Sequence, residues 1–401
     1  MIKKIPVADL LVGMYIHDLN CDWMEHPFLT NSFTVDGKAR IAKIRSLGIR
    51  EVYIDTDRGL DVTNAPTEEE VRAALQQRME SIASSGYERP RQIELAEEAQ
   101  RAQRLHTEAN RIIRAMMTDV RLGAQVEVDR MEPLVENLVD SIFRNQNALL
   151  PLAGLKRHDD YTFEHSVSVC ALMAAFARGL DLPRQTIKEI ALGALLHDVG
   201  KSKVPDAILN KPSRLTAAEF ARMQEHVTFS IQILEETPGI LPISMQVAAQ
   251  HHERYDGSGY PYQLKGETIS LYGQMASIVD VYDAISSDRV YHKGMQPSEA
   301  LKKLLEWSEH HFDPKLVHSF IRAIGIYPSG SLVRLESGRL AVVREQNEGD
   351  LLHPQVEVIY HSERRCYLTP ERIDLRRVPD RVVSHEEYSK WNIDPKNRLP
   401  S

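Results

Sequence analysis

At 401 residues and 42% hydrophobic content, the chain exceeds what one hydrophobic core usually supports and reads as two or three packed domains. A formal net charge of -8 argues against a general affinity for nucleic-acid polymers or anionic membranes, and leaves room for a local cationic pocket that holds a small phosphate compound. Cys21, Cys170 and Cys366 are scattered without a CxxC pair, so neither a disulfide scaffold nor a thiolate zinc site is supported, and a reducing cytosol fits.

The N-terminal MIKKIPVADLLVGM is broken by Asp9 and Gly13, and no run of about 18 apolar residues occurs, so neither secretion nor a membrane span is expected and the location is cytoplasmic. Residues 1–60 form a small αβ unit: apolar runs near 10–16 and 28–35, then GKARIAKIRSLG, then the strand-like REVYID at 50–55. Ile41, Ile44 and Leu47 repeat at helical spacing as a core face, and Gly48 suits the helix end. Residues 61–91 are polar, with Ser84, Ser85, Gly86 and Pro90 interrupting any helix, and read as a linker.

From 92 to 147 the pattern is helical, completing a connector over 61–147. Val128, Met131, Val135, Leu138 and Ile142 alternate steps of three and four, as in a coiled-coil seam that would support a homodimer. The stripe is short, which favours packing against a neighbouring bundle instead. Residues 148–325 read as successive helices punctuated by Pro183, Pro212, Pro238, the turn at 257–261 and Pro297. After Gly325, short alternating apolar runs separated by Ser-Gly turns predict strands within 326–401, and the charged end from about 377 reads as a loosely held tail. The fold class is therefore mostly α: a helical bundle with a small αβ N-terminal domain and a short β-rich C-terminal extension.

The chemistry is concentrated between His165 and Asp280. His165, His197, Asp198, His226, His251, His252 and Asp280 are more imidazole and carboxylate ligands than one small cation uses, so two ions are implied. The separations are 32 residues from His165 to His197, 28 from Asp198 to His226, 25 from His226 to His251 and 28 from His252 to Asp280. Each is about one helical hairpin, so successive helices can return their ligands to one level of a bundle. A single histidine on an apolar face is more often a hydrogen-bonded core residue. HD and HH pairs recurring on successive helices are not explained that way, whereas His158, His310, His311 and His318 lack such context and read as structural or surface residues.

Asp198 offers two oxygens and is the candidate metal bridge; Lys201 adds a point charge for a phosphate oxygen or for a bridging hydroxide. Gly257 and Gly259 permit close backbone approach, Pro261 stiffens the loop exit, and Tyr260 offers a ring face to a base or ribose. Asp280 and Asp283 share a helix face, with Asp283 expected to orient a guanine edge or a second group behind the ligands. Arg289 and Lys293, four apart, are candidates for phosphate binding, a surface ion-pair cluster being the alternative. A dinuclear centre of this kind suits phosphoryl displacement by a hydroxide bridging the ions.

HDVGK at 197–201, HHE at 251–253, GSGYP at 257–261, and DVYDA followed by SDRVYHK resemble the HD-GYP family within the HD phosphohydrolase superfamily, over about residues 150–325. The resemblance implies a helical bundle holding two or three metal ions, iron or manganese foremost, and hydrolysis of cyclic di-GMP to pGpG or onward to GMP. Carried over by motif, His165, His197, Asp198, His226, His251, His252 and Asp280 are the ligands. Lys201, Gly257 to Pro261 with Tyr260, Asp283, Arg289 and Lys293 contact substrate. Residues 1–60 look like the small domain that often precedes HD-GYP domains. Tyr161 stands where some members place a glutamate that recruits a third ion, which implies a binuclear site unless Glu164 or Asp160 substitutes, and His292 stands where Lys or Arg is common. Two rival readings remain at this point. One is a catalytically weak cyclic di-GMP sensor or scaffold that engages proteins such as diguanylate cyclase domains through the GYP loop; the other is an enzyme for another cyclic dinucleotide or a nucleotide phosphate.

Overall fold

The computed structural model describes residues 1–21, 28, 30–84, 92–153, 161–211, 213–287, 294–347 and 349–394. Arg289 and Lys293, with Asp160, His158 and His292, lie outside the described residues, as does the side chain of Tyr161. The chain divides into two compact units, residues 1–78 with 206–223, and residues 79–205 with 224–401.

In the first unit, β1 (Ile2–Pro6), β2 (Tyr15–Asp18), β3 (Phe33–Thr34) and β4 (Glu51–Asp55) make an antiparallel sheet of order β1-β4-β2-β3. Between β3 and β4 runs α1 (Lys38–Ser46), with Ile44 fully buried and Ile41 and Leu47 packed against the same core as Ile16, Val52 and Ile54. Gly48 follows at φ 77°, the left-handed geometry that ends a helix without a Cβ clash. α2 (Glu68–Ala83) falls where the sequence reads as linker. Its start is a reciprocal cap: Glu70 N–H donates to Thr67 Oγ1 at 3.2 Å, and Thr67 N–H donates to Glu70 Oε2 at 2.8 Å.

In the same unit, α7 (Asp206–Leu209) and the start of α8 (Ala217–Glu235) come from the middle of the chain. Lys211 pairs with Glu219 at 2.5 Å, and Arg214 donates to the Phe28 carbonyl and to Asn31 Oδ1.

In the second unit, α3 (Leu95–Arg121) and α4 (Val128–Ala153) form a helical hairpin that reverses at Gly123, φ 97°. Val128, Met131, Val135, Leu138 and Ile142 are all buried. α4 packs on α3, on α5 (Tyr161–Gly179) and on α6 (Arg184–Leu196), so the stripe is bundle core within this chain rather than an open seam. Glu98 is buried between α3 and α4, accepting from Ser141 Oγ at 2.7 Å and from Arg144 Nε and Nη2, each at 2.7 Å.

α9 (Pro242–Gln250), α10 (Leu271–Ser286), α11 (Pro297–Trp307) and α12 (Pro314–Ile324) complete the bundle, with α5 packed against α6, α10 and α12, and α9 between α6 and α10. Gly325, φ 82°, ends α12.

β5 (Leu332–Leu335), β6 (Arg339–Asn347), β7 (Asp350–His361), β8 (Cys366–Asp374) and β9 (Val382–His385) then form an antiparallel sheet of order β8-β7-β6-β5-β9. The end of the chain differs from the loose tail expected. β9 pairs with β5, Ile393 is buried, Tyr388 Oη donates to the Gly330 carbonyl at 2.7 Å, and Trp391 Nε1 donates to Glu386 Oε2 at 2.9 Å. A few aromatic and aliphatic anchors outweigh the charged composition there. Among the described residues, no helix is long and apolar enough to cross a membrane.

Candidate metal centre

His165 lies in the first turns of α5, His197 directly follows α6, His226 is inside α8, His251 directly follows α9, and Asp280 is inside α10. Asp198 opens a short 3-10 turn, Val199–Lys203. All seven expected ligands come together. Three overlapping groups have ligand atoms within 4.8 Å of one another: His226 with His251 and His252, His165 with His197 and Asp280, and His197 with Asp198 and His251.

Asp198 is central. Its Oδ2 lies 3.4 Å from both His165 Nε2 and His197 Nε2, while its Oδ1 lies 3.3 Å from His226 Nε2 and 3.9 Å from His251 Nε2. Asp280 Oδ1 is 3.0 Å from His165 Nε2, and its Oδ2 is 3.8 Å from His252 Nδ1.

The helix ends set which imidazole nitrogen faces this cluster. The last carbonyls of a helix have no partner within the helix. His197 Nδ1 donates to the Ala194 carbonyl at 2.7 Å, and His251 Nδ1 donates to the Ala248 carbonyl at 2.8 Å. A carbonyl only accepts, so Nδ1 carries the proton and the Nε2 lone pair of each ring points inward. His165 is fixed the same way by a carboxylate: its Nδ1 lies 2.6 Å from Asp283 Oδ2, and Ser168 Oγ donates to Asp283 Oδ1. Such carboxylate-histidine pairs orient metal-bound imidazoles.

Electrostatics fit the same use. Burial opposes ionisation of Asp198, yet the Lys201 ammonium and then His197 hold its carboxyl well below the usual carboxylate range. For Asp280, burial is likewise overcome by the hydrogen bond from His165 and by His252. Burial pushes His251 down to about 3, with His197 adding to it, and holds His252 well below its ordinary value. Both rings are therefore neutral near pH 7. Burial opposes a charge on His197, but Asp198 and Asp280 outweigh it and raise its pKa. His197 Nε2, His251 Nε2 and Asp198 Oδ1 are buried without a hydrogen-bond partner. Leaving a buried polar atom unpaired costs about 1–3 kcal/mol. Three such lone-pair atoms converging in one cluster are what divalent cations satisfy.

Lys201 Nζ donates to Asp198 Oδ2, which places its charge at the cluster's edge. Gly200 lets the turn lie flat on α8: its N–H donates to Ser230 Oγ at 2.9 Å, and a Cβ would fall 2.0 Å from the His226 carbonyl oxygen. Gly257 has φ 85°, and Gly259 packs so closely on residues 252–254 that a Cβ would lie 2.3 Å from Arg254 N. The Tyr260–Pro261 peptide is cis, and the Tyr260 ring stacks on His252 with centroids 4.7 Å apart and planes at 26°. One face of Tyr260 is thus already covered by the His252 imidazole.

Asp283 is 2% exposed, and its carboxylate meets His165 Nδ1 and Ser168 Oγ, behind the expected ligands. Sequence reading passed over Ser168, Gly200 and Glu253. Glu253, inside the HHE motif, is fully buried and accepts from the Tyr262 and Leu264 N–H groups. Its place beside two ligands was the available signal, but backbone partners leave no trace in residue identity.

A family model described as HD domain matches residues 149–316, and one described as a domain of unknown function (DUF3391) matches residues 2–131. A cyclic di-GMP phosphodiesterase of Pseudomonas aeruginosa is 41% identical over 396 residues, covering 98% of this chain and 94% of that protein. A cyclic di-GMP phosphodiesterase of Vibrio cholerae is 35% identical over 218 residues, 49% of this chain and 44% of its own length. A 3'3'-cGAMP-specific phosphodiesterase of the same species is 42% identical over 123 residues, 30% of this chain and 24% of its own. The solved structure of an HDG"Y"P protein from Bdellovibrio bacteriovorus aligns over 80% of this chain and 98% of its own, with 19% identity and a TM-score of 0.47.

The fold and the site define an HD-domain metallohydrolase. The chain belongs to the HD-GYP family of phosphodiesterases, with a DUF3391 domain ahead of the HD domain.

Proposed function

We propose that this chain hydrolyses cyclic di-GMP at a two-metal centre, giving pGpG and/or GMP, with iron or manganese as the ions. The observation that carries the chemistry is the inward set of Nε2 atoms around Asp198, with Lys201 beside it. The substrate follows from full-length likeness to an enzyme named for cyclic di-GMP.

Held by His165, His197, Asp198, His226, His251, His252 and Asp280, a pair of divalent ions would supply Lewis acidity to the phosphodiester oxygens and activate water near neutral pH. The chain's own residues do the rest. Asp198 serves both halves of the site, Oδ2 toward His165 and His197, Oδ1 toward His226 and His251. Lys201 neutralises charge that builds on a non-bridging phosphate oxygen. Asp283 acts through His165, holding its proton on Nδ1. Gly257, Gly259, Tyr260 and Pro261 form the rim against which a guanosine rests, and Arg289 with Lys293 are the candidates for phosphate binding. Tyr262, 57% exposed on the same loop, keeps a contact with a protein partner compatible with catalysis.

The test is anaerobic purification with Fe(II) or Mn(II), metal analysis, and chromatography of cyclic di-GMP turnover with 3'3'-cGAMP as competitor. Asp198→Ala should lose metal and abolish turnover. A chain carrying two ions that leaves cyclic di-GMP intact would overturn the reading; faster cleavage of 3'3'-cGAMP would reassign the substrate.

A further inference from the structure

Three consecutive residues divide two tasks. His251 and His252 face the metal cluster, while Glu253 turns the other way and is 0% exposed. Its Oε1 accepts from Tyr262 N–H at 2.8 Å and its Oε2 from Leu264 N–H at 2.9 Å. Charge-assisted bonds of this kind are roughly twice as strong as neutral ones, and burial shields them from water. The loop is closed at a second point by Tyr260 N–H, which donates to the His252 carbonyl at 3.1 Å, and at a third by the Tyr260 ring on the His252 imidazole. With no side chain, Gly259 lets the loop lie directly on the 252–254 backbone.

We propose that Glu253 is a positioning residue that ties the 257–266 loop to the His252 side of the metal centre. Metal uptake at His252 and ordering of the loop are then one linked event. The inference rests on the metal-centre reading above. A cation that fixes the His252 ring fixes the surface on which Tyr260 stacks, and the Glu253 clamp transmits that order to residues 262–264. Conversely, a loop released from Glu253 leaves His252 freer to turn and weakens its hold on metal.

The experiment is hydrogen exchange of peptides covering 257–266 in the full chain, with and without Mn(II), beside metal content measured by mass spectrometry. In the wild type, Mn(II) should slow exchange of this segment by about 10-fold or more. Glu253→Gln places an amide donor against a backbone donor; its loop should exchange fast with or without Mn(II), and its Mn(II) affinity should fall about 10-fold. With metal saturating, KM should rise more than kcat falls.

A Glu253→Gln chain whose loop stays protected and metal-responsive overturns the proposal. Should that variant fail to fold, Tyr260→Ala keeps the buried carboxylate. Its 262–264 amides should remain protected while the loop's response to Mn(II) is lost, and a response equal to wild type overturns the coupling. A wild-type chain that takes up no metal overturns the metal-centre reading as well; one that loads metal while its loop ignores it overturns this proposal alone.

Discussion

Gly200→Ala is the smallest change that should dislocate the metal centre. The added methyl would lie 2.0 Å from the His226 carbonyl oxygen, 2.4 Å from Ser230 N and 2.9 Å from Phe229 C, all of them backbone of α8. Ordinary Cβ contact begins near 3.4 Å, so the turn and the helix must part by more than about 1 Å, and no side chain can rotate to make room. The glycine is not in the left-handed region, so the obstacle is space and not backbone angle. Overpacking of this kind costs about 1–3 kcal/mol. The functional cost is larger, because Asp198 and Lys201 ride on the turn and His226 rides on the helix; a displacement of about 1 Å costs about 100-fold in rate. Thermal melts by circular dichroism, metal content and cyclic di-GMP turnover should show a melting point lower by a few degrees, partial metal loss and a rate near 1% of wild type, roughly the 100-fold expected. An alanine variant with wild-type melting, metal and turnover would refute the packing argument for this turn.

Asp283→Asn keeps the shape but sets an amide against two donors, His165 Nδ1–H and Ser168 Oγ–H; metal affinity should fall about 10–100-fold, read by chelator competition. Glu98→Ala removes the acceptor of Ser141 and Arg144. Because Arg144 is 29% exposed and can reach water, denaturant melts should show about 2–3 kcal/mol lost, less than for a fully enclosed pair. Burial pushes His385 down to about 4 from its ordinary 6.5. The unfolded chain therefore takes up this proton first, so the stability present above pH 6.5 is lost as pH falls from 6.5 toward 4. Melting points across that range should fall in the wild type and fall less in His385→Phe.

The convergence of the seven histidines and aspartates was legible because these residue types at hairpin spacing carry chemistry in their identity, and helical rods convert spacing into proximity. The N-terminal αβ unit was legible from Ile41, Ile44, Leu47 and Gly48. α2 was hidden by its polar composition, although Thr67 and Glu70 spelled out a capping box ahead of it. The end of the chain was misread because charge count says little when Tyr388, Trp391 and Ile393 supply the anchoring. Asp283 could be placed on the ligand face, but whether it faced substrate or His165 depended on α5, far away in sequence. Gly200 and Glu253 were invisible in their roles, since both are defined by backbone atoms of other segments.

Between Asp198 and His226 the polypeptide leaves the bundle's unit, contributes residues 206–223 to the unit formed by residues 1–78, and returns. Domain boundaries drawn along the sequence therefore do not match boundaries in space. A fragment starting at residue 79 would carry 206–223 stripped of its companions, and a fragment ending at 78 would lack the Arg214 tether to Phe28 and Asn31. Dissecting this protein by scissors alone would damage both pieces, whereas point substitutions at Arg214 offer a way to probe the N-terminal unit with the chain whole.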